Sequence, residues 1–179
     1  ILFAIGLYDE ILELIKEKLT LNDYSIRYTA VLQAAKAYNA KGMGDAEASF
    51  LEREIFKYDR DFRRTDKGEL LEAIGESIEY NFIDLIYKCA IVYRDYGRLD
   101  KAAEILRYGI KQDLFRGNEN EDLIKEHTAS LKYHLACIED KSGNKKIALD
   151  LLKDVLKLSE SQTNYKIYYY PHSKEFQGI

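Results

Sequence analysis

The chain is poor in the residues that make turns and bridges. Its 179 residues include one proline, no tryptophan, one methionine and two cysteines. One proline and ten glycines leave little material for the many tight turns of a sheet protein. Two cysteines far apart, Cys89 and Cys137, each inside an apolar helical pattern, read as free thiols in a reducing cytosol rather than as a disulfide. No apolar run approaches the roughly 18 residues a membrane-crossing helix needs. A surplus of one charge sign is lacking too. A net charge of -4 supplies no global field to hold nucleic acid or an anionic membrane, so such binding would need a local patch. The chain opens on Ile1 and lacks the basic start and small-residue cleavage site of a signal peptide, which suggests a fragment of a longer protein.

What remains is helical. Hydrophobic residues at 46% with 32% charged describe a foldable domain, and the abundance of Leu, Ile, Ala, Glu and Lys favours helices. Apolar periodicity predicts helices over 2–18, 24–41, 45–63, 68–96, 99–113, 121–142 and 145–158. Asn22 or Asp23, then Asp45, then Asp66 stand as N-caps, and Gly42, Gly97 and Gly143 as left-handed exits. Residues 1–158 are expected to form one helical domain. In the tail 159–179, Tyr165, Tyr168, Tyr169 and Tyr170 precede Pro171, which stops any helix.

The helices come in related pairs. After Gly97 the next helix carries Ala102, Leu106 and Gly109; after Gly143 it carries Ala148, Leu152 and Val155, at the same spacing and distance from the glycine. Ala4, Tyr8 and Ile11 repeat the spacing near the N-terminus. Before the turns stand Ala35 and Tyr38, Ala90 and Tyr93, and Leu135 and Ala136. A small residue early in the second helix lets two backbones approach, and larger ones fill the groove that opens beyond it. This pattern resembles the tetratricopeptide repeat (TPR), best at Tyr93, Gly97, Ala102 and Leu106 and worst around Ala46, Phe50 and Arg53. The glycines lie 55 and 46 residues apart, wider than the family period of about 34. The resemblance implies an all-α, TPR-like α-solenoid of antiparallel hairpins, and a non-catalytic module that binds a peptide or protein in a concave groove.

No catalytic motif, phosphate loop or cofactor fingerprint supports an enzyme. His127 and His134 share a helix face with Cys137, but seven residues span about 10 Å, too far for comfortable sharing of one metal ion. Neither metal nor cofactor is expected. Glu69, Glu72, Glu76 and Glu79 read as a solvated acidic stripe. The inner helices of a TPR-like array line its groove, which nominates Lys36, Asn39, Tyr87, Ile91, Arg94 and Tyr133 as partner contacts. The alternative is a nucleic-acid or acidic-partner surface on the basic face Arg53, Lys57, Arg60, Arg64 and Lys67, diluted by interleaved acidic residues. The first helix, lacking a preceding partner helix, offers a route to a homodimer.

Overall fold

The computed structural model describes residues 6–21, 23–64, 77–111 and 121–159. Seven α-helices and one 3-10 turn occur among these residues, and no strand. They are α1 (Tyr8–Ile15), the 3-10 turn (Lys18–Thr20), α2 (Tyr24–Ala40), α3 (Gly44–Arg64), α4 (Ser77–Asp95), α5 (Leu99–Lys111), α6 (Glu121–Lys141) and α7 (Lys145–Ser159). The chain divides into two compact units, Ile1–Gly117 and Asn118–Ile179. The expected caps at Asn22 and Asp66, the acidic stripe up to Glu76, and the tyrosine tail lie outside the described residues.

Three hairpins, α2–α3, α4–α5 and α6–α7, turn in the same way. Gly42, Gly97 and Gly143 have φ of 69°, 74° and 83°, the left-handed region that a residue with a β-carbon enters only at a cost. In the first turn Gly42 N donates to Asn39 O (2.8 Å) and Met43 N to Tyr38 O (3.0 Å). The second pairs Gly97 N with Arg94 O (2.9 Å) and Arg98 N with Tyr93 O (2.8 Å). The third pairs Gly143 N with Asp140 O (2.9 Å) and Asn144 N with Glu139 O (2.8 Å). These are Schellman closures, which satisfy the last carbonyls of a helix. The residue after each glycine then accepts the first bond of the next helix: Met43 O from Glu47 N, Arg98 O from Ala102 N, and Asn144 O from Ala148 N. One residue thus closes one helix and opens the next, which folds each pair back antiparallel. The described residues are all-α, and their hairpins are TPR-like.

Two sequence expectations change. The first helix does not run from residue 2 to 18: it begins at Tyr8, because Gly6 sits at φ 76°, and it gives way to the 3-10 turn after Ile15. The caps sort themselves as well. Asp23 Oδ1 accepts from Ile26 N at 2.9 Å and caps α2, whereas Asp45 lies inside the first turn of α3, where its charge still favours the positive helix end.

In the first unit, α2 is built to be crowded. Ala30, Ala34, Ala35 and Ala37 are all buried, and their small side chains admit α1, α3 and α4 to close range. Helix α4 packs on α3 so closely that Cys89 Sγ donates to Ala48 O at 3.6 Å, and Tyr93 donates its hydroxyl proton to Glu52. Leu51, Ile55, Leu85 and Ile86 are wholly buried within this unit. Arg27 is buried as well, its guanidinium 4.2 Å from the centre of the Tyr58 ring and 4.6 Å from that of Tyr24, a cation held between aromatic faces. In the second unit α6 and α7 close over Leu131, Leu135, Ala148 and Val155, and Lys132 reaches Asp154 at 2.9 Å across the pair.

Candidate interaction surfaces

The turn hydrogen bonds fix the repeat register. Counted from its glycine, the first hairpin places Glu47, Leu51 and Glu54 where the second places Ala102, Leu106 and Gly109 and the third Ala148, Leu152 and Val155. The fit at Ala46, Phe50 and Arg53 is therefore one residue out of register. Two carboxylates occupy positions that are small or apolar elsewhere, and both are buried. Asn39 Nδ2 donates to Glu47 Oε2 at 3.1 Å, yet burial pushes the Glu47 carboxyl above its usual range. Glu54 is met by Arg53 at 3.4 Å and Lys57 at 4.0 Å.

Close by, Tyr28 donates to Asp84 on α4. Burial raises the pKa of both groups, and Lys88, 3.8 Å from Asp84, partly offsets the effect there. Burial raises the Cys89 thiol far above its ordinary value, with the charges of Glu52 and Glu47 adding to it, so this sulfur is an inert core atom. Burial also lifts Tyr58 to about 12. In the second unit His127 is buried and pushed down to about 4, a neutral core imidazole. No group of metal-ligating side chains occurs among the described residues.

The nominated groove residues fall into three environments. Lys36 and Asn39 are exposed on α2, and Asn39 is committed to Glu47. Ile91 and Arg94 are half-buried on α4, with Arg94 Nη2 2.7 Å from Asp95. Tyr87, nominated as an exposed anchor, is only 3% exposed and packs inside the first unit. Its neighbours explain this, because α4 is covered by α3, α5 and part of α2 and has only a narrow stripe left over. Tyr133 is half-buried on α6, its ring 5.7 Å from that of His134, and belongs to the second unit.

The basic face is only partly basic. Ser49, Glu52, Arg53, Phe56, Lys57 and Arg60 line an open groove of about 640 Å³ on α3. Lys57 spends its ammonium on the carbonyl of Leu19, 2.7 Å away, and Arg53 leans over the Phe50 ring at 5.2 Å. Arg60 is exposed, the Arg64 side chain and Lys67 lie outside what is described, and Glu52 and Glu54 stand among the cations. Phe56, missed in the sequence, is 45% exposed and meets Tyr108 edge-on at 5.0 Å. Its place between Arg53 and Arg60 on the helix surface was the signal.

Comparison with known proteins adds little to this. No family model matches the chain, and no curated protein matches it significantly. Among solved structures it is similar to a Podosopora anserina protein described as a kinesin light chain with nearly identical TPR-like repeats, at 16% identity and a TM-score of 0.38, over 91% of this chain and 92% of that one. So loose an overlap carries no argument, and the repeat is read from this chain's own turns.

Proposed function

We propose that the chain is a non-catalytic interaction module, and that the first unit receives an extended protein segment along the stripe where α2 and α4 remain uncovered. The observation that carries this reading is what the packing leaves over. On α2 the positions left at least partly exposed include Gln33 and Lys36; on α4 they include Ile91, with Lys88 and Arg94 beside it, paired with Asp84 and Asp95. Both stripes run along preformed helices whose opposite faces are locked in the core, so a ligand meets a surface that needs no reordering. The mixture suits a peptide: an apolar foothold at Ile91, with cationic side chains beside it for carboxylates and backbone carbonyls. Tyr133 would act in the second unit on a separate stretch of ligand.

Peptides selected from a display library on the immobilised wild-type chain test this reading. Lys36→Glu and Ile91→Asp should each weaken the selected peptides at least about tenfold, roughly 1.4 kcal/mol, with the thermal midpoint unchanged. Equal affinity for wild type and both variants would contradict it.

A further inference from the structure

The three hairpins allow a comparison of equivalent surfaces. Six, nine and thirteen residues after the turn glycine, α3 carries Ala48, Leu51 and Ile55, which are 1%, 0% and 0% exposed beneath α4. The same positions on α7 are Leu149, Leu152 and Leu156, at 54%, 37% and 61%. Helix α7 therefore has two apolar stripes. Ala148, Leu151, Val155 and Leu158 turn towards α6, and the other stripe, Leu149, Leu152 and Leu156, faces outward on the side that a further helix covers in the first unit. Exposed Lys145, Lys146, Lys153 and Lys157 flank that stripe with only Asp150 among them.

At the other end of the chain, α1 carries a second outward stripe. Its inward face is Ile11 and Ile15; facing out, at helical spacing, are Leu7 (37%), Glu10, Leu14 (65%) and Glu17. Glu10 and Glu17 give this stripe its negative edge, while Asp9 and Glu13 are already paired with Lys41 and Lys16. One end thus presents leucines edged by lysines, and the other leucines edged by glutamates.

We infer that the α7 face of one copy docks on the α1 face of another, so that the chain associates head to tail. Like charges disfavour pairing α7 with α7 or α1 with α1, whereas α7 against α1 buries both leucine stripes and juxtaposes opposite charges. The two surfaces differ, so the contact is heterologous. The inference is independent of the α2–α4 stripe, whose residues it does not use.

Sedimentation equilibrium over a hundredfold concentration range tests it, with Leu14→Glu and Leu149→Glu as end-blocked variants and circular dichroism as the check on helicity. Both leucines are more than half exposed, so the fold should survive; Leu14→Ser and Leu149→Ser replace them if helicity falls. Wild type should rise above one chain in mass, each variant alone should stay at one, and an equimolar mixture of the two should reach two. Wild type at one chain throughout would overturn the inference. So would a Leu14→Glu variant that still pairs while the mixture gains nothing, the signature of α7 meeting α7.

Discussion

At the scale of single residues, conformational need and burial decide what each position tolerates. Gly44 shows how local the constraint is. A β-carbon there would fall 1.8 Å from the Tyr96 ring, which lies over the start of α3 from the end of α4. Tyr96 is 47% exposed and its ring can swing aside, so Gly44→Ala should destabilise the first unit by about 1 kcal/mol or less, below the range of core overpacking. The same change in a Tyr96→Ala background should cost markedly less, because the ring it collides with is gone. Chemical denaturation of the two single variants and the double variant checks the coupling; additive effects would show that the ring is not seated there. Buried titratable groups give the two units opposite pH responses. His127 has its pKa depressed from 6.5 to about 4, so the unfolded chain takes up the proton first and the second unit loses stability as pH falls across that window. Glu47 and Asp84 are raised, so the folded first unit holds protons more tightly, and their contribution weakens as pH rises above the ordinary carboxyl values of 4.5 and 3.8. Unfolding followed at several pH values should show His127→Gln flattening the acid loss of the second unit. Glu47→Gln should stabilise the first unit near neutral pH; a Glu47→Gln variant less stable than wild type at pH 7 would contradict the assignment.

At the scale of elements, the turns were legible because glycine in a left-handed exit leaves a mark that sequence shares with structure. Gly42, Gly97 and Gly143 stand out between apolar periodic stretches, and each closes its helix with the same pair of backbone bonds. The beginning of α1 was less legible: Gly6 sits within a periodic apolar stretch, and periodicity alone does not reveal a positive φ. The register of α3 was missed for a chemical reason. Glu47 and Glu54 hold positions that alanine, glycine or valine hold in the other hairpins, and a search for small residues slips by one to Ala46. A carboxylate is tolerated there because Asn39 reaches one, and Arg53 and Lys57 reach the other. Exposure was the hardest quantity to read. Periodicity locates the stripe of α4 that faces its hairpin partner, but α4 also meets α3 and α2, and those contacts bury Tyr87. Lys36 is exposed because only one side of α2 escapes its three neighbours.

At the scale of the whole molecule, one hairpin design is used three times with different fillings. In the first unit the second helix of one hairpin becomes the platform for the next: Ala48 and Leu51 vanish beneath α4, and Cys89 and Tyr93 of α4 bond back to α3. That packing leaves α2 and α4 with the narrow surface proposed for a partner, and it makes the outward leucines of α7 intelligible as the same platform seen uncovered. The most direct measurement of the shared design is an NMR cross-peak between the Ala48 methyl and the β-protons of Cys89, recorded on protein with selectively labelled alanine. The packing described here predicts a strong nuclear Overhauser effect between them, together with a Cys89 thiol that resists alkylation until the chain unfolds. No cross-peak, with Cys89 reacting at the rate of a free thiol in native buffer, would show that α4 does not lie on α3.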